Sequence, residues 1–401
     1  MIMSTKNITP KALINKTVKT TLPSLEQNKN AQKHFFSMFV DADYLFLLNN
    51  DTLEMLNTYE EKGNPYATYA LGRYHLIVQP DEDSLEKAER MYNYAYKHGI
   101  ADAGAALSIA LRYGRFGYID RRRSHELFIE ALEKDSRLAA YRQLNNIIFG
   151  DNGIEKNPGK ALTIVNGLIE TDGEEEPNWA FLKGVVIADI YGDASSIPYF
   201  QKAISVGSIG AISVYPYTLM DEDDQNMGKE AFVTALKEGM EKDVHDCFYS
   251  YAFEVDNDDE EVRNLLHKAH ELGSTQATRL LGDIYQAMAE EDEDNYLKAW
   301  EYYNAGARHG SGECMEKLFD MAEKGDVEIS EQRKGYIAIC GARLESQKLI
   351  NAVVEAYKHG RLTEFAAEIE QYYIPAYAPD FEEEMEEEEL PDDDGRYDAF
   401  V

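Results

Sequence analysis

Apolar positions along the chain recur in two nested periods. Within short windows they fall three and four residues apart, the spacing of one helix face. Over longer stretches the same windows return about every 36 residues: LEKAERMYNYAYKHG (Leu85–Gly99) aligns without a gap with YLKAWEYYNAGARHG (Tyr296–Gly310). Marks in this register fall at Gly63, Gly99, Asp135, Thr171, Gly207, Gly239, Gly273, Gly310 and Ser346, spaced by 32 to 37 residues. Seven residues before each mark stands a large apolar side chain: Leu56, Tyr92, Phe128, Ile164, Phe200, Phe232, Leu266, Tyr303 or Ile339. Four before it the residue is small at Ala95, Ala131, Gly167, Ala203, Ala235, Ala269, Gly306 and Ala342, with Tyr59 the exception. Small residues return four after the mark, at Ala67, Ala103, Ala139, Ala211, Ala277 and Cys314.

Positions −11, −7, −4 and 0 share one helix face, and alternating small and large residues on it let a second helix approach around an apolar knob. Glycine at the mark suits the residue just past a helix end, where a left-handed backbone is cheapest without a Cβ. Each unit is therefore expected to hold a helix A, a loop, a helix B and a stop. Two helices per 34–37 residues predict an all-α fold, an α-solenoid of about nine units.

The phrase Ala-x-x-x-Leu-Gly-x-x-Tyr, then Lys-Ala-x-x-x-Tyr-x-x-Ala, then Gly-x-x-x-Ala resembles the Sel1-like repeat, a relative of the tetratricopeptide repeat. It is written by Ala67, Leu71, Gly72, Tyr74, Lys87, Ala88, Tyr92, Ala95, Gly99 and Ala103. Ala277, Leu281, Gly282, Tyr285, Lys298, Ala299, Tyr303, Gly306 and Gly310 write it again. GIEKNPGKA (153–161) resembles the family's loop into helix B. The resemblance covers roughly residues 36–373 and implies a right-handed superhelix of helix-turn-helix repeats in an adaptor role.

The ends differ from the array. Residues 1–35 are expected as a basic, flexible arm, since residues 1–33 carry six Lys against one Glu. DTLE (51–54) reads as a helix start capped by Asp51 and reciprocated by Glu54. Residues 374–401 read as a Pro-containing linker and an acidic disordered tail, with twelve acids against one Arg over 380–401. The tail's apolar tip offers Tyr397, Phe400 and Val401 for docking. One helix spacing per pair puts the basic island Arg121–Arg123 on the order of 60–70 Å from the tail. The tail is therefore expected to point outward, to a partner or by self-association to a second copy.

Charge and composition narrow the function. A formal net charge of −34 opposes nucleic-acid and anionic-membrane surfaces, because each phosphate contact needs a Lys or Arg. No apolar run near the start reads as a signal peptide or a membrane span, and three cysteines (Cys247, Cys314, Cys340) make no disulfide framework. A cytoplasmic protein is expected.

No Gly-rich phosphate loop, G-x-S-x-G or H-E-x-x-H appears, so no catalytic, cofactor or metal residue is assigned. The acidic stretches DNDDEEVRNLLH (256–267) and DEDDQNMGKEAF (221–232) lack the Gly and Glu that an EF-hand loop needs at its sixth and twelfth positions. The acidic loops between helices A and B are expected to line one edge, broken by RFGYIDRRR (115–123). By register, Tyr69, Arg73, Arg142, Asn146, Arg279 and Asp283 should face the inner surface lined by A helices, available to a protein or peptide partner. The leading expectation is a non-enzymatic scaffold. The second is an acidic inhibitor, an immunity-type protein or nucleic-acid mimic that occupies a partner's basic site.

Overall fold

The computed structural model describes residues 9–151, 153–173, 176–220, 225–255 and 259–373. Among these residues every regular element is helical and no strand occurs. Three helices open the chain, α1 (Pro10–Thr21), α2 (Lys29–Val40) and α3 (Asn50–Glu61), and 3-10 turns at Leu22–Ser24 and Ala42–Leu47 join them. A/B pairs follow: α4 (Pro65–Ile77) with α5 (Glu82–Lys97), α6 (Ala101–Arg112) with α7 (Arg121–Glu133), and α8 (Arg137–Phe149) with α9 (Pro158–Asp172). Next come α10 (Pro177–Tyr191) with α11 (Asp193–Ser205), α12 (Ile209–Val214) with α13 (Gln225–Met240), and α14 (His245–Tyr251) with α15 (Asp259–Glu271). The last are α16 (Thr275–Met288) with α17 (Asp294–Arg308), α18 (Gly312–Lys324) with α19 (Glu331–Arg343), and α20 (Gln347–Lys358) with α21 (Ala366–Tyr373).

The corner between one pair and the next uses one short device. Gly63, Gly99, Asp135, Gly207, Asp243, Gly273, Gly310 and Glu345 take positive φ. The next residue's N–H returns to the carbonyl five positions back, as in Asn64 to Tyr59, Ser136 to Ala131, Ser274 to Ala269 and Ser346 to Gly341, a Schellman stop. That same residue then caps the following helix. The side chains of Asn64, Ser136, Ser208, Ser274, Ser311 and Ser346 accept the N–H groups of Ala67, Ala139, Ala211, Ala277, Cys314 and Leu349. One polar residue thus ends one helix and starts the next.

Three marks move when placed on this device. Thr171 lies inside α9, which stops at Gly173; Gly239 lies inside α13, and Asp243 makes the turn with φ 58°. Ser346 is a cap, preceded by Glu345 at φ 64°. A short polar side chain such as Asp tolerates the left-handed region, so the stop need not be glycine. The start of α3 also moves: Asn49, not Asp51, is its cap and accepts the Thr52 N–H at 2.9 Å.

With the marks corrected, the small residues explain themselves. A Cβ on Gly239 would strike Cys247, and one on Gly341 would strike Leu349. At Asp243, Gly310 and Glu345 the residue four past the mark (Cys247, Cys314, Leu349) is larger than alanine, and the residue four before it is glycine (Gly239, Gly306, Gly341). At Gly99, Asp135, Gly207 and Gly273 both residues are alanine (Ala95/Ala103, Ala131/Ala139, Ala203/Ala211, Ala269/Ala277), and all eight are buried; Gly63 instead sets Tyr59 against Ala67. The glycine of helix A is a hole for the knob of helix B. A Cβ on Gly72 would lie 2.9 Å from the Tyr92 ring, on Gly184 2.7 Å from Phe200, and on Gly282 2.5 Å from Tyr303. Ala95→Leu or Ala269→Leu should overpack such a contact and cost about 1–3 kcal/mol. Thermal melts of the two variants check this, and unchanged melting would displace both residues from the contact.

The chain divides into two compact units. One gathers the described residues up to Ala110 together with Arg121–Thr278; the other gathers Leu111–Asp120 and the described residues from Arg279 onward. In the first, Leu144, Ile147, Ile148, Val165, Trp179, Leu182 and Val186 form one stretch of core. In the second, Tyr303, Cys314, Leu318, Met321 and Ile337 form another, continued by Ile339, Val353 and Ile369. Within the second unit Arg115 Nη2 donates to the Arg308 carbonyl at 2.8 Å, at the end of α17. Arg343 is buried there and makes a bidentate pair with Glu368 at 2.8 and 3.0 Å.

Candidate functional site

Residues 10–35 of the expected basic arm are largely helical, and with residues 36–48 they form one packed segment. Thr9 caps α1 with Pro10 in its first turn, and Asn28 caps α2 through the Asn30 and Ala31 N–H groups. Ile14, Val18, Leu22 and Leu25 fall on one face and are buried, while the lysines lie on the other side, exposed or half-buried. The basic composition belongs to the solvated side of an amphipathic pair of helices.

This segment lies along the A helices of the first unit. Phe36 meets Tyr66 and Tyr69 of α4 with ring centroids 5.8 Å apart, and Phe39 meets Tyr69 at 6.1 Å. Gln32 Nε2 donates to the Tyr66 hydroxyl at 2.8 Å. Arg137, at the start of α8, donates to Ser37 Oγ at 2.9 Å, and Asn178 of α10 donates to the Ser37 carbonyl at 2.9 Å. The Tyr44 hydroxyl donates to the Gly207 carbonyl at 2.6 Å, just before α12. Asp43 Oδ2 pairs with His245 Nε2 of α14 at 3.1 Å. Phe46 fills the space beside Gly273, the turn before α16.

Two charged clusters hold it. In the first, Arg137 Nη2 lies 2.5 Å from Asp172 Oδ2, and Lys33 Nζ lies 3.0 Å from Asp172 Oδ1. The Trp179 indole also donates to Asp172 at 2.9 Å, and Glu176 takes the Trp179 N–H at 2.7 Å. Burial would raise the Asp172 carboxyl, but Arg137, Trp179 and Lys33 hold it below the usual carboxylate range. Glu176 is raised, because burial outweighs Arg137 and its hydrogen bonds. In the second cluster, burial would lower His245, yet its contacts with Asp246 and Asp43 raise it to about 10. Burial and the neighbouring Asp43 raise Asp41 to about 7.

The residues expected on an open inner surface are therefore sorted differently. Tyr69 and Arg73 are adjacent on α4 but buried, Tyr69 under Phe36 and Phe39. Burial accounts for the raised Tyr69 phenol. Arg142 and Asn146 are half-buried on α8. Arg279 and Asp283 come together in the second unit, and they stay half-exposed. Arg279 Nη1 lies 2.5 Å from Asp283 Oδ2, and Arg279 Nε lies 2.9 Å from Glu313 Oε2 of α18. Lys317 of α18 reaches Asp283 Oδ1 at 2.7 Å, and the Tyr303 hydroxyl donates to the same oxygen at 2.7 Å. Sequence reading missed Glu313 and Lys317, which stand three and seven residues past the Gly310 mark, one turn apart on α18. It also missed Arg137, whose signal was an arginine directly after the Ser136 cap.

Tyr397, Phe400 and Val401 lie outside the described residues, as do the acidic loops 221–224 and 256–258. The tail expected 60–70 Å from Arg121–Arg123 also lies outside the described residues. Arg122 and Arg123 are paired in α7 with Glu126, and Arg123 also with Glu130. Among the described residues no cluster of His, Cys, Asp and Glu has a metal-holding arrangement, and no helix is long and apolar enough to cross a membrane.

These helix pairs carry the phrase that resembles the Sel1-like repeat. In that phrase Gly72 lies under Tyr92 and Gly282 under Tyr303, and Gly99 and Gly310 take positive φ at the stops. Solved structures similar to this chain include a Sel1 repeat protein from Oxalobacter formigenes, 15% identical over 79% of this chain and 93% of that one, with a TM-score of 0.38. Another is c5321, described as a protective antigen of uropathogenic Escherichia coli strains displaying an SLR fold. It is 14% identical over 86% of this chain and 83% of that one, also with a TM-score of 0.38. No family model and no curated protein matches the chain.

Proposed function

We propose that the protein is a non-enzymatic scaffold that holds a protein or peptide partner, and that the holding face is formed by α16 and α18 of the second unit. The observation that carries this reading is the half-exposed network of Arg279, Asp283, Glu313 and Lys317 on two successive A helices. Opposite charges interleaved at helical spacing can exchange internal pairs for contacts to a peptide backbone and its acidic or basic side chains, with Tyr303 and Leu281 supplying a fixed floor. The corresponding face of the first unit is covered by residues 10–48. A cytoplasmic location fits the three unpaired thiols, of which Cys247 and Cys314 are buried.

Peptides selected from a random display library on the full-length protein test the reading. Those enriched should lose at least ten-fold in affinity for a Lys317→Glu variant and be indifferent to Arg90→Glu, whose side chain pairs with Glu86 in α5. Equal binding to wild type and Lys317→Glu would move the binding face elsewhere.

A further inference from the structure

We propose that the A-helix face of the first unit is itself a peptide-recognition site, kept closed by the chain's own residues 29–48. The partner that opens it is an amphipathic helix of the same chemistry: two adjacent aromatics, a third one turn on, then an acidic-aromatic turn. This site is separate from the face proposed above and does not depend on it.

The grip on residues 29–48 resembles the reading of a ligand more than the burial of a strut. The aromatic set Phe35, Phe36 and Phe39 enters against Tyr66 and Tyr69, as anchors at i, i+1 and i+4 do when a helix lies in a groove. Two long-range donors converge on one residue of the segment, Asn178 on the Ser37 carbonyl and Arg137 on its hydroxyl. Both donors sit at A-helix starts, and Asn178 is also held by Glu176 Oε1 at 2.9 Å, so the face is organised before the segment arrives. Behind the helix, Asp43 meets His245 and the Tyr44 hydroxyl meets the Gly207 carbonyl. Each ionic fastening has one partner reachable from solvent, Lys33 at 42% and Asp43 at 33% exposed, against Asp172 at 9% and His245 at 13%. A competitor can displace those ends first and the phenylalanines afterwards. Because the segment is tethered, its effective concentration is high, and only a matched helix competes.

Hydrogen exchange on the full-length protein is the first test. The amides of α2 and the Ala42–Leu47 turn should open together, at least ten-fold faster than those of α8 and α10. Exchange of all three helices at one common rate would make the segment part of the core and overturn the proposal. The second test adds a fluorescein-labelled peptide of residues 29–48 to a Lys33→Ala/Asp43→Ala variant. Saturable binding at least ten-fold tighter than to wild type is expected, and Phe35→Ala/Phe39→Ala in the peptide should abolish it. A variant that folds yet ignores the peptide, or that loses its cooperative melt, contradicts the proposal.

Discussion

Replacing Arg137 by Met should be among the most damaging single changes in the first unit, costing on the order of 3–5 kcal/mol. The side chain is 10% exposed, and its partners Asp172 and Glu176 are 9% and 5% exposed. A methionine of similar length keeps the packing against Trp179, over which the guanidinium lies at 5.8 Å, but removes the charge between two buried carboxylates. Lys33 still reaches Asp172 at 3.0 Å, which places the loss toward the lower end of that range. Glu176 has no such substitute. The deficit should also depend on pH. Asp172 is held below its ordinary value in the native protein, so its stabilisation is present above the unfolded pKa and lost as pH falls through the folded one. The variant lacks most of that term and lets both carboxyls take up protons more readily. Urea denaturation should therefore show a gap between wild type and Arg137→Met that is wide at pH 7 and narrows toward pH 4. A gap under about 1 kcal/mol at every pH would mean that the pair behaves as an exposed one.

The fold was legible because its signal is redundant. Tyr92 over Gly72 and Tyr303 over Gly282 are one contact written twice, and the buried alanines Ala95 and Ala103 recur at the same register as Ala269 and Ala277. The stops were harder to read where the backbone demand is met by Asp243 or Glu345 in place of glycine. The site was misread for a different reason. Register says which face of its helix a residue occupies, and on α4 Tyr69 meets Phe36 and Phe39. It cannot say whether another part of the chain lies over that surface. The clues were local and conventional: Thr9-Pro10 and Asn28 as caps, and Ile14, Val18, Leu22 and Leu25 on one face. Averaging the charge over the first 33 residues hid them, since lysines on a solvated helix face and lysines in a loose arm have the same composition.

Stability of the first unit should peak at mildly acidic pH and fall toward alkaline pH, through the groups where residues 41–43 meet α14. Asp41 is raised to about 7 by burial and by Asp43. An acid whose folded pKa exceeds its unfolded value binds a proton on folding. Its contribution is thus complete below about pH 4 and lost as pH rises through about 7. His245 is raised to about 10 by Asp246 and Asp43 against the lowering effect of burial. Its contribution is complete below about pH 6.5 and lost as pH rises through about 10. The two act in the same direction in successive windows. Asp246 acts oppositely: burial would raise it, but His245 holds it low, so its stabilisation disappears only under stronger acid. Shifts of this size correspond to a few kcal/mol for each of Asp41 and His245, since one pKa unit is about 1.4 kcal/mol. Asp41→Asn carries the neutral form permanently and should flatten the limb between pH 4 and 7 while leaving the alkaline limb intact. His245→Gln should do the reverse. Melting temperatures measured from pH 4 to 10 for the wild type and the two variants separate these limbs. Parallel curves for all three proteins would mean that the Asp43–His245–Asp246 contact does not form in solution.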